Sequence, residues 1–291
     1  MTISISFTTL IDRIQPTQVE IQNALQHAKQ IKARLEQSYQ LRNLFPAGSF
    51  PRQTNIRRSS DIDLFAVFAR DDMRWGDRYV QSSTALDNLR RDLEARYPSS
   101  RVYRDVHAIV VSFSDAVSVD VVPATFDGMA QTGRPIYKMP DGQGGWMQVG
   151  PELHARYIKE ADEKSGGKLK RVAQLMKFWR ECRSPKVPLS SFHIEMLLAH
   201  YGICVGIKSY ADCITETLQT LAERQCHALQ DPLGIAGNIG ATRSFLQGET
   251  ALKSILYSRD HAKEAVYAER HGNLKEAKRQ WDIVFNGQFP F

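Results

Sequence analysis

The chain has 291 residues, of which 42% are hydrophobic and 24% charged, the balance of an ordinary globular protein and not of a disordered, fibrous or membrane-spanning one. That length supports one large or two intimate domains with a real core. A formal net charge of +6 suits either nucleic acid or polyphosphate partners, but the basic residues are dispersed, with Arg57-Arg58, Arg90-Arg91 and the 168–183 stretch as local concentrations, and they announce no template groove.

The first ten residues have neither a basic n-region nor a sustained apolar run, and no stretch approaches the length of a membrane span, so a cytoplasmic protein without a signal peptide is expected. Cys182, Cys204, Cys213 and Cys226 lie far apart without metal-ligand spacing and read as reduced thiols.

Thr17 followed by Glu20 has capping-box spacing and predicts a helix through about Tyr39, with Ile21, Leu25, Ala28, Ile31 and Leu35 as its buried stripe. Next comes Gly48-Ser49, a flexible turn whose N–H groups and hydroxyl could face an anion. The run from Ile62 to Phe68 predicts a strand in which Asp61 and Asp63 share one face while Ile62 and Leu64 point into a core. Paired carboxylates repel and pay desolvation unless a cation neutralises them, and hard oxygen ligands suit Mg²⁺ or Mn²⁺. An isolated Asp-x-Asp is more often a solvated strand end than a metal site, and Gly-Ser before a proline is an ordinary loop; their joint order and the later Asp120 favour the metal reading.

A helix is predicted over Val80–Arg96 and strands near Val102–Phe113 and Val117–Val122, with a turn at Ser114-Asp115. Asp120 breaks a valine run, facing opposite to Val117, Val119 and Val121, and Pro123 is expected to close that strand. The Gly- and Pro-rich 128–150 segment predicts a domain boundary; its Gly142, Gly144 and Gly145 lack the strand–turn–helix context of a dinucleotide fingerprint. Beyond Gly166-Gly167, Leu169, Val172, Ala173, Met176 and Trp179 form one helical face and Lys170, Gln174 and Lys177 another. On spacing alone Lys177 reads as a solvated surface lysine and Phe192 as a core aromatic. His193 and His200 read as core or surface residues, not ligands. Asp231-Pro232 and Asn238 mark a loop, and helices are predicted over 250–270 and 273–285, the second opened by Asn273 and Glu276 at capping-box spacing.

Taken together, Gly48-Ser49, the segment from Arg52 to Ile56, the run from Ser60 to Leu64 and the later Asp120 resemble the DNA polymerase β-like nucleotidyltransferase superfamily. Within it they are most similar to the bacterial cyclic-oligonucleotide synthases of anti-phage signalling, relatives of animal cyclic GMP–AMP synthase and 2′-5′-oligoadenylate synthase. The segment from Ile136 to His154, the motifs at 175–179 and 189–195, and the tail at 281–290 resemble the same synthases. The resemblance implies an α+β fold: a bilobed nucleotidyltransferase core with a mixed sheet, plus a C-terminal helical lobe. It implies a bracing N-terminal helix within residues 1–45, a catalytic core over 46–145 and the helical lobe over 146–291.

By the same resemblance, Asp61, Asp63 and Asp120 are catalytic and hold Mg²⁺ or Mn²⁺. Gly48, Ser49 and Thr54 belong to the nucleotide site, with Lys177 and Ser191 on the triphosphate and Phe192 stacked on the donor base, where many relatives have Tyr. The implied reaction joins nucleoside triphosphates into a cyclic di- or trinucleotide second messenger without a nucleic-acid template. The implied partners are those substrates and, indirectly, a product-sensing effector; no membrane is involved, and the protein is a monomer or weak oligomer. Two alternatives stay open: a linear transferase acting on RNA, protein or a small acceptor, and a catalytically dead relative serving as a binding module.

Overall fold

The computed structural model describes residues 2–57, 62–75, 78–115 and 117–290. Ser60 and Asp61 lie outside the described residues. In chain order the elements are α1 (Ile3–Ile14), α2 (Gln18–Ser38), β1 (Leu41–Ala47), α3 (Ser49–Arg52), β2 (Ile62–Phe68), β3 (Arg74–Trp75), β4 (Arg78–Tyr79), α4 (Ser82–Arg96), β5 (Arg101–Asp105), β6 (Ala108–Ser112) and β7 (Ser118–Met129). They continue with β8 (Pro135–Pro140), β9 (Trp146–Val149), α5 (Pro151–Lys164), α6 (Lys168–Glu181), α7 (Ser191–His200), α8 (Tyr210–Glu223), β10 (Leu229–Gln230), β11 (Asn238–Ile239), α9 (Phe245–Arg270) and α10 (Leu274–Val284). The chain divides into two compact units: Pro16–Ala155, and Met1–Gln15 together with Arg156–Phe291.

In the first unit the described residues form a seven-stranded mixed sheet in the order β1-β2-β7-β6-β5, with β8 on the far half of β7 and β9 on β8. Strand β2 runs parallel to β7 and antiparallel to β1. Alternation along the strands divides the sheet into two chemically different faces. Ile62, Leu64, Ala66 and Phe68 of β2 join Ile109 and Val111 of β6 and Val119 and Val121 of β7 under Leu86, Leu89 and Leu93 of α4 and Ala24, Ala28, Ile31 and Leu35 of α2. Opposite them, Phe65 and Val67 pack with Ala47, Ala124, Tyr137 and Val149. The capping box of α2 is formed, Thr17 accepting from the Glu20 amide while Glu20 accepts from the Thr17 amide. Of the expected stripe Ala28, Ile31 and Leu35 are buried and Ile21 is half-buried, while Ala24 lies inside in place of Leu25, which is exposed. A small residue there lets the helix approach the sheet.

Elsewhere the structure adds to or departs from the expected elements. The 102–113 run is a hairpin, β5 and β6, turning at Val106 and His107. Pro123 does not end its strand, because β7 continues to Met129. Proline is tolerated there since β6 pairing stops at Val121 and β8 pairing starts at Thr125, leaving no partner on that edge to miss an N–H. The Gly-rich 128–150 segment carries β8 and β9, which extend the sheet. Helix α1 was not expected, and residues 1–15 join the helical unit: Phe7 meets Trp281 at 5.0 Å and Phe289 at 4.9 Å between ring centroids. The compact units themselves divide after Gln15 and Ala155.

Among the described residues no helix is long and apolar enough to cross a membrane. The four cysteines are free thiols, as expected.

Candidate active site

The parallel ladder between β2 and β7 pairs Ile62 with Val119, Asp63 with Asp120 and Leu64 with Val121. Because flanking residues of both strands enter the helix-covered core, Asp63 and Asp120 emerge side by side on the opposite face. Both are half-buried. Adjacent carboxylates in partial burial raise each other's energy, and a divalent cation bound by hard oxygens relieves it.

Strand β1 brings the Gly-Ser turn to the same place. Ala47 pairs with Asp63, so the chain leaves β1 beside that carboxylate. Gly48 follows with φ +64° and ψ −143°, a conformation open to glycine and strained for other residues. A Cβ at Gly48 would lie 1.5 Å from Asp63 Oδ2. Glycine is therefore required twice, by its backbone angle and by the carboxylate lying against it. Ser49 then opens the short turn α3, half-buried and immediately after Gly48. Thr54 is fully buried, and its amide donates to the Ser49 carbonyl at 3.1 Å, closing that turn. Thr54 thus supports the turn from below.

Whether a metal fits is answered by this donor set. Two in-register carboxylates, with a neighbouring position where a side chain would displace Asp63 held as glycine, suit an oxygen-ligated divalent ion. Among the described residues no three His, Cys, Asp or Glu side chains gather as a metal site, and the third expected carboxylate, Asp61, lies outside them.

In the helical unit, α6 and α7 carry the other predicted residues. Lys177 is buried, and its Nζ stands 2.5 Å from Oε1 of Glu195, which is fully buried. Gln174, one turn earlier, is buried too and accepts from Arg171 at 3.3 Å. On the second face of α6, Gln174 and Lys177 are buried polar residues and Lys170 is half-buried, so Lys177 is not the solvated surface lysine that spacing alone allows. Helix α7 begins with Ser190 as N-cap, its hydroxyl accepting from the His193 amide at 3.3 Å while its own amide donates to the Ala241 carbonyl at 2.7 Å. Ser191 and Phe192 follow in the first turn, both half-buried. His193 is a core residue whose Nδ1–H donates to the Ile239 carbonyl at 3.0 Å, and burial pushes its pKa below the usual imidazole value. His200, at the other end of α7, is exposed.

The structure thus gathers Gly48, Ser49, Asp63 and Asp120 in the sheet unit, with Thr54 beneath the turn. The helical unit holds Lys177, Ser191 and Phe192 on two neighbouring helices. Sequence reading passed over Glu195. Its signal was a lone carboxylate in the otherwise apolar run Ile194 to Leu198, a place where an acid needs a cation.

The model of the Second Messenger Oligonucleotide or Dinucleotide Synthetase domain matches residues 1–162, more than half of the chain. The chain belongs to this family. It is accordingly a nucleotidyltransferase of the cyclic-nucleotide-synthase type. The synthetase match includes the whole carboxylate face and the Gly-Ser turn, and it ends within α5, before Lys177. A probable cyclic nucleotide synthase of Bacillus cereus is 24% identical over 273 residues, covering 84% of this chain and 81% of that protein. The cyclic AMP-AMP-AMP synthase of Escherichia coli is 24% identical over 201 residues, 65% of this chain and 60% of its own length. Among solved structures, Escherichia coli CdnC with ATP superposes with a TM-score of 0.76 at 19% identity, over 99% of each chain. That likeness shows a shared fold.

Proposed function

We propose that this synthetase joins nucleoside triphosphates into a cyclic di- or trinucleotide signal of anti-phage defence, with the Asp63–Asp120 pair as the centre of its chemistry. The observation that carries the reading is the parallel register of these two carboxylates beside a glycine that cannot be replaced without displacing Asp63. Relatives named as cyclic nucleotide and cyclic AMP-AMP-AMP synthases support it.

Asp61, Asp63 and Asp120 would hold Mg²⁺ or Mn²⁺, which when bound neutralises triphosphate charge and lowers the pKa of the acceptor hydroxyl. Asp120 is the group assigned to assist deprotonation of that hydroxyl. The Gly48-Ser49 turn presents N–H groups and a hydroxyl to the terminal phosphates, and Thr54 holds the turn in shape. Lys177 and Ser191 bind the donor triphosphate, and Phe192 offers a face for the donor base. These groups position and neutralise; no protein nucleophile is needed.

Incubation with four labelled nucleoside triphosphates and Mg²⁺ or Mn²⁺ tests the reading. A ring has no terminal phosphate, so label in the product should survive alkaline phosphatase, and mass spectrometry should give a ring mass. A phosphatase-sensitive product, or synthesis only after RNA, protein or another acceptor is added, would establish the linear transferase instead.

A further inference from the structure

Lys177 and Glu195 form an ion pair in an unusual position. The two side chains come from adjacent helices of one unit, and both are buried: Lys177 retains 7% of its side-chain surface and Glu195 none. A buried ammonium left alone tends to shed its proton, and a buried carboxylate left alone to acquire one. Side by side at 2.5 Å, each keeps the other charged. An ammonium carries three N–H donors and can serve more than one acceptor.

The placement of Glu195 ties this pair to the start of α7. One helical turn separates it from Ser191 and Phe192, and α7 is fixed at its N-terminus by three contacts: the Ser190 cap, the Ser190 amide on Ala241 and the His193 ring on Ile239. Glu195 therefore belongs to an anchored element, whereas the lysine it holds has a flexible four-carbon stem.

We propose that Glu195 is a positioning residue for the donor nucleotide: it holds the Lys177 ammonium charged and aimed, with α7 as the rigid support. This rests on the reading of Lys177 as a triphosphate contact. Glu195 does not touch substrate. A carboxylate facing a polyanion directly would weaken its binding, and Glu195 avoids this by spending its charge on Lys177.

A double-mutant cycle on the full chain tests the proposal. Equilibrium affinity for non-hydrolysable analogues of ATP and GTP is measured in the wild type, Glu195→Gln, Lys177→Gln and the double variant, with melting temperature and KM and kcat for the natural triphosphates. Expected are a tenfold or larger loss of affinity in each single variant, a matching rise in KM with kcat changed less than threefold, and no further loss in the double variant. That non-additivity marks a residue acting through its partner. Glu195→Asp, which keeps the charge and shortens the reach, provides the same readout if Glu195→Gln does not fold; its affinity should fall at least threefold.

A lower melting temperature in Glu195→Gln with unchanged analogue affinity would make the pair a structural strut and overturn the proposal, as would unchanged affinity in Glu195→Asp. Normal affinity in Lys177→Gln would remove the donor-contact reading itself, and the proposal with it. Weakened binding in Lys177→Gln beside normal binding in Glu195→Gln would overturn the positioning role alone.

Discussion

The sheet unit and the helical unit build their functional residues by different means. In the sheet unit the backbone does the placing. Register sets Asp63 beside Asp120, strand alternation turns both away from the helix-covered core, and one backbone conformation brings Gly48 against Asp63. In the helical unit side chains do the placing: Lys177 is held by Glu195 from a neighbouring helix, and α7 is held by the His193–Ile239 bond. Backbone-placed groups tolerate the loss of a charge without loss of shape. Groups placed by buried side chains do not, because a deleted partner leaves an uncompensated charge in the interior.

The largest test of this contrast is at the carboxylates. Asp63→Asn and Asp120→Asn should each reduce nucleotide incorporation by about a thousandfold or more, as expected when a preorganised charge at a reacting phosphate is lost. Melting temperature should stay within a degree or two, since shape and register are retained. Wild-type activity at saturating Mg²⁺ would remove that residue from the reacting centre.

Gly48→Ala follows. The new methyl must displace the Asp63 carboxylate and also occupy a positive φ. Strain of about 2–4 kcal/mol is expected by analogy with overpacked sites and left-handed alanine, together with a large fall in kcat. Urea denaturation and initial rates measure the two separately. A stable, active alanine variant would show that the turn can move away from Asp63.

Phe192 gives a smaller effect. Replacement by Ala should raise the donor KM by roughly tenfold, corresponding to the loss of about 1–3 kcal/mol of base stacking, while Phe192→Tyr should be near wild type. Equal effects from the two substitutions would point to the phenyl edge, not to its face.

The smallest effect concerns acid. His193 is neutral and buried, with its folded pKa pushed below the usual imidazole value by desolvation. The unfolded chain therefore binds a proton first as pH falls, and the stability contributed by the neutral ring is present above about pH 6.5 and lost below it, toward the depressed folded value. Melting curves between pH 8 and pH 5 should show this slope, and His193→Asn should flatten it. An unchanged slope in that variant would assign the acid sensitivity elsewhere.

The same contrast explains what could be read from sequence. The alternation around Asp63 and around Asp120 is local, so it was legible that each carboxylate faces away from its apolar neighbours, as was the capping box of Thr17 and Glu20. Their adjacency follows from a parallel pairing of segments more than fifty residues apart, which the residues alone do not announce. The turn between β5 and β6 was missed because Val106, at φ +36°, is a residue type that almost never marks one. Glu195 was missed because its meaning lies on another helix. Helix α1 was missed because its β-branched and hydroxyl residues are poor helix formers, and its burial comes from partners near the other end of the chain.

That last arrangement carries a consequence for biosynthesis. Phe7 is buried against Trp281, Phe285 and Phe289, and Arg13 donates to the Gln288 carbonyl. At a translation speed of about 5–20 residues per second, α1 leaves the ribosome on the order of half a minute before those partners exist. The sheet unit can complete its ladders in that interval, since all of its strands lie between the two. The helical unit cannot close its aromatic cluster until residues 281–289 emerge. Translation order thus makes the carboxylate face available first and the aromatic cluster around Phe7 last.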